Sequence, residues 1–217
     1  MFSFFRADPQ IVCSDSTGHV TTCCLRPSGL QRLARWPAHD YEAWITAFNC
    51  FDKNMVYSGG DDCKLKGWDL RTDPVCQHSM GVCSLQTSPC VQNILCSGSY
   101  DENVMIWDTR QMRRPLSEIG IGGGVWRVKW EPKHGHRILT ASMHNGAHII
   151  DTKDAHEGHP SVIGHHSKHS SMVYGADWCL LNNQSQSNTA SADMSGEKRI
   201  ITTVLSTTMP YISGKGR

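Results

Sequence analysis

Histidine, serine and aspartate occur twice in this chain in the same order and spacing. Each histidine precedes its serine by 19 residues: His39, Ser58 and Asp62, then His78, Ser97 and Asp101. In serine hydrolases an aspartate orients a histidine, and the histidine takes the proton of an attacking serine. Ester or amide hydrolysis is therefore one hypothesis. The sequence contains no Gly-x-Ser-x-Gly nucleophile elbow, which weakens that hypothesis.

These residues belong to an internal repeat. Residues 58–69 align with residues 97–108 without a gap at an offset of 39, and both copies end in Trp-Asp. Further copies are weaker and lie near 13–24, 140–151 and 189–200. Each copy is typical of a hairpin, with two short strands joined by a tight polar turn. Another strand is predicted before four of the hairpins: at 43–48, 82–86, 125–130 and 173–178.

A repeat of about 40 residues made of short strands and ending in Trp-Asp is typical of a β-propeller blade. We therefore predict an all-β fold, a WD-repeat β-propeller over residues 1–200, followed by an atypical C-terminal tail at 201–217. The repeats correspond to about four full blades plus a partial one, as expected for a truncated version of a larger propeller. The alternative is a β-sandwich with accidental internal similarity.

The resemblance to WD repeats implies a structural role for both histidine-serine-aspartate sets. Together with a tryptophan, each set would form one buried hydrogen-bonded chain: His39, Ser58, Asp62 and Trp68, then His78, Ser97, Asp101 and Trp107. Buried polar groups cost free energy unless they are paired. The aspartate would accept hydrogen bonds from turn amides and the histidine, and the indole would donate to the serine. We favour this role over a hydrolytic triad.

Composition excludes several other classes of protein. Of the 217 residues, 39% are hydrophobic and 19% charged, which predicts a soluble globular chain. The net charge of +1 argues against nucleic-acid binding, and no apolar run is long enough for a membrane span or signal segment. The ten cysteines form no Cys-x-x-Cys pair, which favours reduced thiols and a cytoplasmic location.

Longer segments are similar to the WD-repeat diphthine methyltransferase family, which is described as hydrolysing diphthine methyl ester despite its name. They are 39–49, 56–62 with 67–69, 80–84, 97–110, 123–130 and 173–178. The resemblance implies a role in diphthamide synthesis, in which the methyl ester of a modified histidine on elongation factor 2 is removed before the final amidation. It implies elongation factor 2 as protein substrate and assigns no catalytic residue and no cofactor. A non-catalytic WD-repeat scaffold that binds other protein partners through the propeller face remains the alternative.

Equivalent positions of successive blades become neighbours on one face of a propeller. We therefore predict a substrate-binding rim at inner-strand starts and hairpin turns: Trp44, Tyr100, Trp126, Tyr174 and Asp177. His144 occupies the place of the turn aspartate and is a candidate base, with Asp61 or Glu42 orienting it. The amides of residues 122–124 are candidate donors to an oxyanion. In the plainer interpretation His144 is a tolerated turn residue and Trp126 packs in the channel.

Nine of the twelve histidines lie between His134 and His169. Clustered imidazoles can bind a metal, but His156 and His159 are one residue closer than the helical His-Glu-x-x-His pattern requires. We therefore expect a solvated loop between blades and no metal site. His165 or His169 is a candidate for the blade histidine of the copy near 189–200.

Overall fold

The computed structural model describes residues 9–69, 75–153, 159–178 and 200–201. Within these ranges the chain forms strands and turns, and it forms no helix. The strands build five antiparallel sheets, numbered here as blades in chain order. Nothing in the described ranges is a helix that is long and apolar enough to span a bilayer.

The bounds of the strands follow the predicted repeat closely. Blade 1 contains β1 (Gln10–Ser14), β2 (His19–Arg26) and β3 (Gly29–Pro37). Blade 2 contains β4 (Ala43–Phe48), β5 (Met55–Gly60), β6 (Lys64–Asp69) and β7 (Val75–Gln77). Blade 3 contains β8 (Val82–Thr87), β9 (Ile94–Ser99), β10 (Asn103–Asp108) and β11 (Ser117–Gly120). Blade 4 contains β12 (Arg127–Trp130), β13 (Arg137–Ala141), β14 (Ala147–Asp151) and β15 (Ser161–His166). Blade 5 contains β16 (Asp177–Trp178) and β17 (Ile200–Ile201).

Successive blades pack side by side. The inner strands β4, β8 and β12 contact one another in turn, and β4 also contacts β1, the first hairpin strand of blade 1. Within each sheet every strand pairs with its neighbour in the chain. The all-β WD-repeat propeller is confirmed, and its described sheets form an open arc.

The blades differ in how many strands they contain. Three have four strands, blade 1 has three and blade 5 has two, where the sequence predicted about four full blades and a partial one. The predicted copy near 189–200 and the tail at 201–217 lie outside the described residues, apart from the two residues of β17. The domain boundary at residue 200 stays a prediction.

The Ser-Gly pairs of the repeat allow the blades to pack closely. A methyl group added at Gly59 would lie 2.5 Å from Cγ1 of Val82, and one added at Gly98 would lie 2.4 Å from Cγ1 of Val125. Both valines are fully buried and begin the next blade or lie just before it. A glycine is therefore needed at each position, because any side chain would push two blades apart.

The structure corrects the prediction for the histidine-rich segment. Residues 161–166, expected in a solvated loop between blades, form β15, the outer strand of blade 4. Pairing with β14 satisfies backbone groups of this polar stretch. The ring of His165 stacks on His148 of β14 with centroids 4.4 Å apart. His156 lies outside the described residues, and inside them no three His, Cys, Asp or Glu side chains are grouped to hold a metal ion.

Candidate functional site

The first histidine-serine-aspartate set forms a buried chain of hydrogen bonds. His39 Nδ1 lies 2.7 Å from Asp62 Oδ1, and His39 Nε2 lies 2.8 Å from Ser58 Oγ. Trp68 Nε1 lies 2.8 Å from the same Oγ. An indole N–H can only donate and a carboxylate can only accept. Trp68 therefore donates to Ser58, Ser58 donates to His39 Nε2, and His39 donates to Asp62 through Nδ1.

The second set repeats this geometry in blade 3. His78 lies 2.9 Å from Asp101 and 2.8 Å from Ser97, and Trp107 Nε1 lies 2.7 Å from Ser97 Oγ. Ser97 and Ser58 are both 0% exposed. Substrate cannot reach either hydroxyl, and each hydroxyl already accepts an indole N–H. The distances match a hydrolytic triad, but this burial argues against catalysis and favours the predicted structural role of both chains.

The same chains hold the hairpin turns in place. Asp101 accepts the amide of Asn103 at 3.0 Å as well as the hydrogen bond from His78. Burial would raise the pKa of Asp101, but these hydrogen bonds outweigh it and lower the pKa. Burial lowers the pKa of His39, and Asp62 offsets that effect only in part. His39 is therefore a neutral imidazole at neutral pH.

Four of the five predicted rim residues meet in one group, called here the rim cluster: Trp44, Tyr100, Trp126 and Tyr174. Ring centroids are 5.4 Å apart for Trp44 and Tyr100, 5.5 Å for Tyr100 and Trp126, and 5.3 Å for Trp126 and Tyr174. These three pairs are edge to face, and Trp44 and Trp126 form a tilted pair at 6.1 Å. All four side chains are partly exposed, so the rim cluster is a surface feature.

A β-bulge at Trp44 directs its side chain towards the other rings of the rim cluster. Ala43 and Ile45 pair with consecutive residues of β5, which leaves Trp44 as the extra residue. The bulged residue leaves the regular alternation of a strand and bends the chain locally. An equivalent bulge in β8 leaves Cys83 as the extra residue. The repeat predicts the position of Trp44, but not the bulge that directs its side chain.

Two glycines make room for the rings and bring Asp61 beside them. A methyl group at Gly81 would lie 2.7 Å from the Trp44 ring and 3.2 Å from Asp61 Oδ1. At Gly124 it would lie 3.1 Å from Cδ1 of Tyr100. The start of each blade therefore supports a ring from the blade before it. Both the Trp44 ring and the Asp61 carboxylate lie close to the Cβ position of Gly81. Asp61 therefore lies at the border of the rim cluster.

Asp61 and Glu42 are exposed acids on neighbouring turns. The amide of Asp61 donates to the carbonyl oxygen of Glu42 at 3.0 Å. Neither carboxylate forms a hydrogen bond or an ion pair with any side chain in the described part of the chain. Both are therefore available to a ligand or to a catalytic base.

Asp177, the fifth predicted rim residue, has a different environment. Its carboxylate pairs with Lys129 Nζ at 3.4 Å across two inner strands. Burial lowers the pKa of Arg127, and the negative charge of Asp177 partly offsets this effect. Asp177 therefore interacts with cationic side chains of β12, and the prediction that it belongs with the aromatic rings is not supported by its contacts.

His144 lies exposed in the turn between β13 and β14. It makes no hydrogen bond, ion pair or ring contact with other described residues, so neither Asp61 nor Glu42 orients it here. The preceding residue Met143 has a φ of 39° and bridges to Val173. Its sulfur lies 2.8 Å from the Cβ position of Gly124, which places this turn next to the rim cluster.

The glycine run at 122–124 offers backbone donors beside the same turn. The amides of Gly122, Gly123 and Gly124 donate to no acceptor within the described ranges. The Cβ position of Gly123 lies 2.4 Å from the carbonyl oxygen of Ser142, so only glycine fits this close approach. Free amides of this kind are suited to stabilising a developing oxyanion.

Cys83 is not a thiolate nucleophile. It is 7% exposed and its thiol points to the carbonyl oxygen of Gly81 at 3.5 Å. Burial raises the pKa of Cys83 to about 12, with further contributions from the charges of Asp101 and Asp61. The thiol therefore stays protonated at neutral pH, and the thiolate is the nucleophilic form of cysteine.

A concavity lies at the end of blades 3 and 4 that is opposite to the rim cluster. It has a volume of about 130 Å³ and is lined mainly by apolar side chains, with His136 and Lys153 as its titratable groups. It lies where β8 and β12 end, whereas the rim cluster lies where the inner strands begin. Its described lining includes no carboxylate, so the rim cluster is the better candidate site.

Comparison with known proteins agrees with the repeat and with the longer segments. The family model "WD domain, G-beta repeat" matches residues 30–69 and 72–108. The chain is 49% identical over 181 residues to mouse (Mus musculus) "Diphthine methyltransferase" and 46% identical over 182 residues to the human (Homo sapiens) protein of that name. Each alignment covers 79% of this chain. The "Diphthine methyltransferase homolog" of Dictyostelium discoideum is 35% identical over 82% of this chain.

The chain spans only part of these relatives, with 38% of the mouse protein, 40% of the human protein and 54% of the Dictyostelium protein covered. Among solved structures, a chain of the crystal structure of the mitotic checkpoint complex superimposes with a TM-score of 0.69 at 18% identity. That superposition covers 81% of this chain and 54% of the other. At this identity the likeness concerns the fold alone.

Proposed function

Because this chain is a WD-repeat homologue of the diphthine methyltransferases, we propose that it acts in diphthamide biosynthesis as a carboxylic ester hydrolase. In the proposed reaction it hydrolyses the methyl ester of methylated diphthine on elongation factor 2, in the cytoplasm. Water adds to the ester carbonyl, methanol leaves, and the carboxylate of diphthine remains.

The observation that carries this proposal is the rim cluster with its free acids. Trp44, Tyr100 and Trp126 lie within 5.4 to 6.1 Å of one another on the face where the turns of the blades converge. Aromatic side chains provide large contact areas for a flexible side chain at a protein surface. A modified histidine on a loop of elongation factor 2 could reach such a surface without unfolding either protein.

The proposed chemistry uses groups of the neighbouring turn. His144 is exposed and would accept a proton from the attacking water. The free amides of residues 122–124 would donate to the tetrahedral oxyanion. Asp61 or Glu42 would stabilise the protonated imidazole once substrate has brought the groups together. Cys83 takes no part, because burial holds its thiol protonated.

The test is to incubate the purified chain with elongation factor 2 that carries the methyl-esterified modification. Mass spectrometry of the modified peptide should record loss of the methyl group. In water labelled with heavy oxygen, the label should appear in the product carboxylate and not in methanol, because hydrolysis cleaves the acyl bond. Unchanged peptide mass after prolonged incubation contradicts the proposal.

A scaffold without catalysis is the second candidate. The observation in its favour is that His144 has no orienting partner within the described residues. One fold hosts many unrelated functions, so the propeller by itself does not require catalysis. In this case elongation factor 2 or another protein would bind the same face, and the methyl ester would persist.

A further inference from the structure

We propose that the concavity at the end of blades 3 and 4 binds an acidic peptide segment of a partner protein. One branched aliphatic side chain of that segment would fill the concavity, and its acidic residues would contact the cations around it. The concavity lies at the end of the blades opposite to the rim cluster. The inference therefore goes beyond the proposed function and does not depend on ester hydrolysis.

The concavity has the lining and the size that one aliphatic side chain requires. Ile94, Ile106 and Leu116 of blade 3 line it together with Trp130 of blade 4. Its volume is about 130 Å³, and an apolar cavity of about 150 Å³ accommodates one benzene molecule. Val91, which also lines the concavity, is 37% exposed. The apolar surface is therefore open to a ligand from solvent.

Contacts between the walls fix the shape of the concavity. The thiol of Cys90 donates to the carbonyl oxygen of Pro132 at 3.7 Å. A methyl group added at Gly135, whose φ is 64°, would lie 2.7 Å from Cβ of Cys90. The amide and the hydroxyl of Thr152 both donate to the carbonyl oxygen of His136, at 2.8 and 3.0 Å. The walls are in place before a ligand binds, which reduces the entropy that binding costs.

A buried hydroxyl of the lining has a proton to donate. Ser88 lines the concavity and is 1% exposed. Its Oγ accepts the amides of Cys90 at 3.3 Å and Val91 at 3.0 Å. Its own proton has no acceptor in the part of the chain that the structure describes, whereas buried hydroxyl groups are normally paired. A carbonyl or carboxylate oxygen of a bound peptide would accept this proton.

Exposed cations lie on the connections that carry the lining residues. None of them forms an ion pair with a described residue: Arg113, Arg114, Lys133 and Lys153. Lys153 itself lines the concavity, and Arg113 and Arg114 shortly precede the lining residue Leu116. Several cations spread beyond the concavity suit a segment with several carboxylates better than one free carboxylate.

The acids at this end of the blades are already engaged and do not neutralise those cations. Asp108 pairs with Arg110. Glu131 is 4% exposed and lies 3.2 Å from His134. Asp151 accepts the amide of Lys153 at 3.0 Å. Because opposite charges attract a ligand and like charges repel it, this surface selects an acidic segment over a basic one.

The experiment measures binding of a fluorescein-labelled peptide, Asp-Glu-Leu-Glu-Asp, to the whole chain by fluorescence anisotropy. The same peptide with alanine in place of leucine should bind about tenfold or more weakly, because less apolar surface is buried. Asn-Gln-Leu-Gln-Asn should also bind more weakly. Lys153→Glu should weaken binding of the leucine peptide by about fivefold or more. Lys168→Glu, the same charge change at an exposed lysine at the other end of blade 4, should not.

Failure of the leucine peptide to bind would overturn the proposal. Equal binding of the leucine and alanine peptides would overturn the aliphatic contact, and equal binding of the acidic and amide peptides would overturn the charge selection. Binding of octanoate without binding of the peptide, followed by proton NMR, would identify a free fatty acid as the ligand instead. Lys153 is exposed, so its variant should fold, and far-UV circular dichroism checks this. Unchanged affinity in folded Lys153→Glu would place the peptide elsewhere.

Discussion

The indole of Trp44 and the phenol ring of Tyr100 pack edge to face, with centroids 5.4 Å apart and planes at 71°. Trp44 lies at the start of the inner strand of blade 2, and Tyr100 lies in the hairpin turn of blade 3. They meet because the propeller brings strand starts and hairpin turns of adjacent blades to one face. The same relationship adds Trp126 to the cluster at 5.5 Å from Tyr100.

Replacing Ser58 by alanine should destabilise the chain without a direct effect on catalysis. The variant removes the atom that pairs both Trp68 Nε1 and His39 Nε2 in a buried site. Leaving buried polar groups unpaired costs about 1–3 kcal/mol. Urea denaturation should show this loss, and Ser171→Ala, at an exposed serine, should not. A folded Ser58→Ala protein with abolished ester hydrolysis would contradict the structural role.

Gly98→Ala should destabilise the packing between blades 3 and 4. The new methyl group would lie 2.4 Å from Cγ1 of Val125, and overpacking of this kind costs about 1–3 kcal/mol. Val125→Ala should partly rescue the variant by removing the clashing atom. A double-mutant cycle measured by thermal denaturation should give a coupling energy of at least about 0.5 kcal/mol. Strict additivity would indicate that the two residues do not clash.

Stability should fall as the pH is lowered from about 6.5 towards 4, owing to His148. Burial lowers the pKa of His148 from 6.5 to about 4, and the charge of neighbouring His165 adds to this effect. In this pH range His148 takes up a proton in the unfolded chain but not in the folded chain. Proton binding therefore stabilises the unfolded state and lowers the free energy of unfolding. At about 1.4 kcal/mol per pH unit the loss is on the order of 3 kcal/mol.

The measurement for His148 is the free energy of unfolding at a series of pH values. His148→Leu should reduce the slope between pH 6.5 and 4 and leave the part due to His39, whose pKa burial also lowers. Ser171→Ala, at an exposed serine, should leave the slope unchanged. Identical pH dependence in His148→Leu and the parent protein would show that other groups cause the loss.

Cys83, which lies near the start of β8, should react slowly with alkylating agents because its thiol is buried and protonated. Burial raises the pKa of Cys83 to about 12 and also raises the pKa of Cys96. The exposed residues Cys50 and Cys90 should be modified first by iodoacetamide at neutral pH, as followed by peptide mass mapping. Rapid labelling of Cys83 in the folded protein would mean that its thiol is ionised and accessible.

His144→Ala should reduce ester hydrolysis by about 10² to 10⁴, the usual effect of losing a general base. The exposed side chain makes no contact within the described residues, so stability should not change. His136→Ala provides the matched control at another exposed histidine. Methyl loss at the parent rate in His144→Ala would rule out His144 as the base.

The local pattern of the chain determined the blades and both buried hydrogen-bonded chains. Short strands, polar turns and the recurrent order of His39, Ser58, Asp62 and Trp68 reflect contacts that each blade makes within itself or with the loop before it. Such contacts recur with the repeat, and a repeat is visible in a single sequence. Blade equivalence also identified the four rings of the rim cluster.

Only the tertiary structure decided which carboxylate is paired and which is not. Asp177 and Asp61 look alike in sequence, but Lys129 of the adjacent inner strand forms an ion pair with Asp177, while no described side chain forms an ion pair or hydrogen bond with the carboxylate of Asp61. The bulge at Trp44 and the stacking of His165 on His148 are likewise decided between strands. Pairing of charges and rings depends on which side chains of different strands come within a few ångströms, and the spacing of residues along one chain does not contain those distances.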